Sequence, residues 1–410
     1  MSTTSAHGGP HPLRQEIRLL LQVAMTVFVW TVGIGILNGT DIVDFNRKVI
    51  LSHVHVGTLG WITMCVFAAS LWLFGATADD AEIRTARTLA RVAVVTLPAF
   101  AFTFALTYQE PRAVMGTFAL LTIVGFFVWV ARRFRSVDAT VVHLGFLAAV
   151  TTSVMGGIVG VLLATRIATG RDVVPVGAKD AHPATMVVGF LIPVGMALAE
   201  WALGWPVLRR IDRAGRWQIA LPFIGGVLLM IGLLFDIKPL PPISAIVELV
   251  GVVVFVRRLW PMARAVEWLR SGPGRHGAVC AAAVVVNILF LNYLIGANAG
   301  DVDKIADRQL LAVDHVMFVG VLTNGILGLL RGLTADDRRW QGLDHVVFFG
   351  MNGGLVGFAV SLLANNVVLE RIATPVMGVS ILLGLAVTAV RLRTGATSQP
   401  APAPVAAPVG

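Results

Sequence analysis

His53, His55, His182 and His315 fall near the ends of long apolar segments of the chain. An ionisable ring inside a lipid-spanning segment is costly, turns toward the bundle interior, and marks a functional position by default. Imidazole is also the commonest side-chain ligand for metals and an axial ligand of heme iron. The first expectation is therefore a membrane protein that holds heme or a metal near one face.

The segment Ser52-His53-Val54-His55-Val56-Gly57-Thr58-Leu59-Gly60-Trp61 carries the densest signal. Two residues apart on a helix, the rings point about 200° apart. One metal rarely takes both, so the pair can present one imidazole to each of two neighbouring sites. Gly57 and Gly60 open a low face for a flat macrocycle or another helix. The plainer alternative is two interfacial rings bonded to carbonyls. His315 follows Asp314, which either orients an imidazole or pairs with an arginine. His55 and His315 enter their segments to similar depth, about 7–9 Å by helical rise, as two axial ligands of one heme require. They are therefore expected to share one iron, with His53 on the opposite face of its helix. His182-Pro183 reads either as a metal ligand or as a helix start with proline first.

Other polar residues read as structural. His143 and His345 open segments at the opposite face, and His7 and His11 sit in a polar N-terminal tail. Glu200 is expected to pair with a loop arginine. Glu248 is either a proton-relay carboxylate or paired within its helix. Asn287, Asn292, Asn324 and Asn352 suit hydrogen bonds between helices.

The elements that must position these groups are apolar helices. Hydrophobic residues make up 56% of 410 and charged residues 13%, about half the charged share of a soluble domain; mean hydropathy is +0.81. Twelve runs of spanning length lie near 18–37, 51–74, 89–107, 113–131, 141–165, 183–206, 217–235, 240–257, 277–297, 309–331, 343–364 and 373–392. The fold class is all-α, a polytopic membrane protein. The domains are a cytoplasmic tail 1–17, a membrane domain 18–394 and a disordered Pro/Ala-rich tail 395–410. Histidine on the second, sixth and tenth segments, at near-regular spacing, suggests three groups of four helices.

The formal charge of +9 is not a nucleic-acid signal. With both termini inside, 22 of the 32 Lys and Arg lie on the cytoplasmic side and 10 on the external side, the asymmetry that orients spans in a cell membrane. This places the four histidines externally. Cys65 and Cys280 are far apart within segments and suggest no disulfide, and no Cys-x-x-Cys-His offers covalent heme attachment. Gly156-Gly157-Ile158-Val159-Gly160 reads as close helix packing rather than a phosphate loop.

The His-x-His-x4-Gly-Trp segment, His182-Pro183 and Asp314-His315 resemble the catalytic subunit (subunit I) of heme–copper oxidases and nitric-oxide reductases, and related heme- and copper-containing membrane proteins of the NnrS type. The resemblance covers nearly the whole chain. It implies a subunit I-like bundle and a low-spin heme b held by His55 (or His53) and His315. It implies copper at His182 and Arg371 against heme propionates; because the family's other copper ligands are missing here, a metal at His182 would need a different partner, His53. A redox partner or external electron donor, a small gas ligand and an oxidoreductase role in electron transport or nitric-oxide stress would follow. The chain departs from the family where a second iron ligand would stand, at Val313. It departs again where the redox tyrosine would stand, at Met186, and it lacks the seventh-helix histidine pair. A complete oxygen-reducing copper site is therefore not expected.

A reading from another class competes: a multi-helix transporter or copper- or zinc-handling protein, with a histidine metal site and no heme. Transporters place their sites at the membrane midplane on broken helices, whereas these histidines cluster toward one face.

Overall fold

The computed structural model describes residues 11–205, 207–298, 304–334, 340–393 and 404–405. It contains twelve helices long and apolar enough to cross a membrane. They are α1 Arg14–Gly39, α2 Arg47–Gly75, α3 Asp80–Thr103, α4 Glu110–Phe134, α5 Val141–Thr169, α6 Ala178–Gly204, α7 Arg213–Leu234, α8 Leu240–Ala263, α9 Pro273–Ala297, α10 Asp307–Leu333, α11 Gln341–Leu363 and α12 Val367–Arg393. Helix is the form in which a long apolar segment satisfies its own backbone groups.

Most helices begin several residues before their apolar runs, and in α2, α3 and α7 a polar side chain caps the extension. Asp79 and Glu82 form a reciprocal capping box at α3, and Asn46 accepts from the Lys48 and Val49 amides at α2. The sixth helix starts at Ala178, so Pro183 lies within it and not at its first position. Helix α1 starts at Arg14, inside the stretch expected to be tail. Residues 1–10, with His7, and most of 395–410 lie outside the described residues; Pro404–Val405 pairs in parallel with Leu208–Arg209.

Three helices form the centre. In α2, α6 and α10, 94, 83 and 67% of the most apolar stretch is buried, against 28–56% in the other nine. Each contains a π-helical segment: Val56–Thr63, Thr185–Leu191 and Val316–Thr323. Such segments insert extra backbone into an α-helix and recur at functional sites. Each carries a glycine against the helix before it. A Cβ on Gly60 would strike Val27 of α1, one on Gly189 would strike Thr152 of α5, and one on Gly320 would strike Ala283 of α9. The Trp61 indole donates to Thr323 Oγ1 at 3.3 Å, tying α2 to α10.

The buried ion pairs gather at the end opposite the four histidines. Asp344 of α11 accepts from both terminal nitrogens of Arg391 at 2.8 Å and from Ser271 at 2.6 Å, with Arg331 Nε at 3.2 Å. Glu200 pairs with Arg258 of α8 at 2.8 Å and accepts from Gln218; the partner is a helix residue, not a loop arginine. His143 serves the capping box of α5 through Thr140 and donates from Nε2 to the Leu73 carbonyl at 3.1 Å.

His11 is docked rather than solvated. Its ring stacks on Trp72 with centroids 5.0 Å apart, Nε2 donates to the Trp72 carbonyl, and Nδ1 accepts from the Leu13 amide. Burial pushes its pKa down from 6.5 to about 4, so the docked ring is neutral. Docking is then complete above pH 6.5 and weakens as the pH falls from there toward 4. Amide exchange at residues 11–14 should accelerate between pH 7 and pH 5 beyond the change in intrinsic rate. His11→Ala should be fast at both.

Candidate cofactor site

The four histidines at one end share a hydrogen-bonding pattern that fixes their chemistry. Nδ1 of His53 bonds the Thr31 carbonyl at 2.8 Å and Nδ1 of His182 bonds the Gly156 carbonyl at 2.9 Å. Nδ1 of His55 bonds the Leu51 carbonyl at 2.8 Å and Nδ1 of His315 bonds the Leu311 carbonyl at 2.9 Å. A carbonyl only accepts, so Nδ1 carries the hydrogen in all four, and Nε2 carries a lone pair. No described residue hydrogen-bonds to any of these Nε2 atoms. A ring anchored through Nδ1–H with Nε2 free is oriented to ligate a metal. His11 and His143, by contrast, use both nitrogens.

The π segments supply a common register. Counted back from Gly60, Gly189 and Gly320, the seventh position holds His53, His182 and Val313, and the fifth holds His55, Ala184 and His315. The seventh-position rings reach the preceding helix, α1 or α5, and the fifth-position rings bond their own helix one turn back. Glycine clears the space for the first kind. A Cβ on Gly35 would lie 3.3 Å from His53 Cε1, and one on Gly160 would lie 2.6 Å from His182 Cε1. The Gly-rich run of α5 is thus a close-packing surface, and what it packs is an imidazole.

The rings pair differently from the sequence expectation. His53, not His55, lines one cavity with His315, and these two rings are within electrostatic reach of each other. His55 is within reach of His182 and Arg112 instead. His53 is therefore not grouped with His182. Equal depth does not make a shared site here: His55 and His315 are each the last residue before a π segment, the same place on two different helices.

The His53–His315 cavity is apolar and lies among α1, α2, α10, α11 and α12, lined by Gly35, Gly57, Trp61, Phe358 and Gly378 among others. Water centres can occupy about 200 Å³ of it, well over ten times the roughly 10–15 Å³ that one water needs by the same measure. Asp314 and Glu370 are its acidic lining residues. Glu370 is held by Arg308 at 2.6 Å, and no described residue bonds the Asp314 carboxylate. Arg371 lies in the first turn of α12 and pairs with Asp41; it does not line the cavity. The His315 ring lies 4.7 Å from that of Phe358.

Around the second pair, the His55 ring stacks on Phe104 with centroids 3.5 Å apart. The Arg112 guanidinium lies over the other side of this aromatic cluster, 4.4 Å from the Phe104 centroid. The one sequence signal for Arg112 is a lone arginine two residues into a helix at the histidine end, which does not distinguish it from a topology signal. Phe104 and the π segments carried no distinctive signal. Among the described residues, no group of three or more His, Cys, Asp or Glu is placed to hold a metal ion.

The remaining polar residues serve packing. Asn324 and Asn352 bond each other across α10 and α11, and Asn287 donates to the Val313 carbonyl at 2.7 Å. Asn292 bonds only its own helix. Glu248 accepts from Ser244 one turn back at 2.7 Å, the helix-paired arrangement. Cys65 and Cys280 are buried free thiols. Compared with family models and with curated proteins, the chain matches none.

Gly160→Val should cost about 1–3 kcal/mol through overpacking against His182. Gly33→Ala should cost nothing and gain up to about 1 kcal/mol in helix propensity, since a Cβ there meets nothing within 4 Å. Thermal melts of the two variants in one detergent measure both; equal melting points would refute the assigned role of Gly160.

Proposed function

We propose that the chain is a heme-binding membrane redox protein whose heme b sits in the cavity between α2 and α10, ligated by Nε2 of His53 and His315. The observation that carries this reading is two imidazoles from different helices on one apolar cavity, each anchored through Nδ1 with Nε2 free. Two protein ligands are too few for a structural zinc site, which takes four. They suffice for an iron whose four equatorial positions are filled by a macrocycle. The glycines of the lining admit a flat ring close to the helix backbones, and Arg308, which pairs with the lining residue Glu370, is the candidate partner for its carboxylates, ahead of Arg371, which pairs with Asp41 away from the cavity. When bound, heme supplies one-electron chemistry. The protein's part is to fix the two ring orientations and keep the site dry.

Two axial imidazoles leave iron no open position, which favours electron transfer over gas binding or turnover. We further propose three four-helix pseudo-repeats, on the strength of the shared glycine register, in a subunit I-like bundle. The sorting of basic residues supports insertion in the cell membrane with both termini cytoplasmic. Copper chemistry of the oxidase kind has little support: Val313 sits in an apolar cluster with Leu294 and Ile305, and Met186 packs toward Gly156.

Purified protein should show a Soret band and the sharp α and β bands of low-spin heme after reduction. His53→Ala and His315→Ala should each abolish the low-spin signal of this heme. Retention of a full low-spin spectrum in both would sink the assignment, as would stoichiometric copper or zinc with no Soret band.

With an artificial reductant, the purified chain should show no rapid cyanide-sensitive oxygen consumption. Such consumption would mean that an open iron site exists elsewhere in the bundle.

A further inference from the structure

The second imidazole pair has no part in the reading above, yet it repeats the first in register and in chemistry. His182 stands where His53 stands, seven residues before the π-segment glycine, and His55 stands where His315 stands, five before it. His182 bonds the carbonyl of Gly156 as His53 bonds that of Thr31. These acceptors lie four residues beyond Thr152 and Val27, the residues that the two glycines face. Four residues further on, Gly160 and Gly35 each clear room for the ring edge. An aromatic ring flanks the fifth-position imidazole in both places, Phe104 beside His55 and Phe358 beside His315.

An independent observation indicates what the second site takes. Arg112 is only 8% exposed, its Nε has no hydrogen-bond partner, and among the described residues no carboxylate pairs with its guanidinium. A buried, always-charged guanidinium without an acceptor is costly, because desolvation is not offset. It lies over Phe104, the ring stacked on His55, and within electrostatic reach of that imidazole. Such a cation calls for an anionic group on whatever the two imidazoles bind. A bare metal ion brings no anion, and among the described residues no group of three or more His, Cys, Asp or Glu is placed to hold one. A carboxylate-bearing tetrapyrrole brings four equatorial nitrogens and the anion together.

We propose that the chain binds a second heme between α2 and α6, with His55 and His182 as axial ligands through Nε2 and Arg112 paired with a heme carboxylate. The proposal rests on the reading that the His53–His315 cavity holds the first. The third equivalent interface is closed: its two positions are Val313 and Ala184, the ring-clearing glycine is Leu291, and Asn287 bonds the Val313 carbonyl. The capacity of the bundle is therefore two.

The test is heme-to-protein stoichiometry by pyridine hemochromogen, with copper assay and potentiometric titration, on full-length protein purified with heme supplied during expression. The wild type should hold two hemes and titrate in two waves. His182→Gln and His55→Gln should each lower the ratio to one and remove the same wave; His53→Ala should also lower it to one and remove the other. Arg112→Gln should move only the wave lost in His182→Gln, to lower potential, because an uncompensated carboxylate favours the ferric state. The wave that survives in each variant certifies that the bundle is folded. A wild-type ratio of one, abolished by His53→Ala and unchanged by His182→Gln, overturns this proposal and leaves the first reading standing. Stoichiometric copper lost in His182→Gln with the heme ratio unchanged overturns it as well. Protein without any heme overturns both.

Discussion

An imidazole that gives its Nδ1 hydrogen to a main-chain carbonyl has only one nitrogen left for other chemistry, and its ring plane is fixed by the helix that owns the carbonyl. Four rings at one end of this bundle are held in this way. The rest of the architecture serves that geometry. For His53 and His182 the accepting carbonyl belongs to the neighbouring helix, so the ring has to cross the helix–helix contact. Glycines in α1 and α5 keep the contact open, and glycines in α2 and α6 bring the backbones near enough for the bond to form. Helix contacts in lipid depend on such close approach, because water supplies little drive for burying apolar side chains there.

The π-helical segments add a second constraint. In a regular α-helix, two residues separated by one are on nearly opposite sides, and a single helix can serve two sites only through such a pair. In α2 this pair sits directly at the junction with the π segment, His55 being the last residue before it. His315 is likewise the last residue before the π segment of α10, and each is the final residue of a nine-residue α-helical stretch. The depth match that makes His55 and His315 look like partners reflects the same place before the π segment on two helices, and His55 does not line the His315 cavity. Equivalent positions related by rotation about the bundle centre face different interfaces. A partner must come from a non-equivalent position on the next central helix.

This is also why the sequence was legible in some respects and not in others. Twelve helices follow from apolar runs, which the cost of unsatisfied backbone in lipid makes nearly unambiguous. The candidate residues His53, His55, His182 and His315 follow from the rarity of ionisable groups in such runs. The pairing did not follow, since it turns on helical phase, and one extra backbone residue per π turn shifts phase by about 100°. Arg112 was hidden for a different reason. Among basic residues near helix ends it reads as one more topology signal, and only its burial over Phe104 without an acceptor sets it apart. The docking of His11 is not legible in the sequence, because a polar tail gives no hint that Trp72 offers both a stacking face and an accepting carbonyl.

Charge is distributed so that the two ends of the bundle do different work. At the end opposite the histidines, buried ions are compensated by one another: Asp344 is shared by Arg391, Arg331 and Ser271, and Glu200 by Arg258 and Gln218. Removing one partner from such a network leaves a buried charge unpaired, a loss of about 3–5 kcal/mol, so these contacts hold the helices in one arrangement. At the histidine end the balance is incomplete. Among the described residues, no carboxylate pairs with Arg112, whose Nε has no hydrogen-bond partner, and no residue hydrogen-bonds the Asp314 carboxylate or the four Nε2 atoms. Interiors rarely leave so many polar groups unmatched without a reason in function. The mismatch is specific in sign: two lone pairs face one apolar cavity, two more belong to His55 and His182, and a cation lies near His55. That pattern is complementary to a flat, metal-centred ring with acidic substituents, and it is absent from the third interface, where Val313 and Leu291 pack in one apolar cluster.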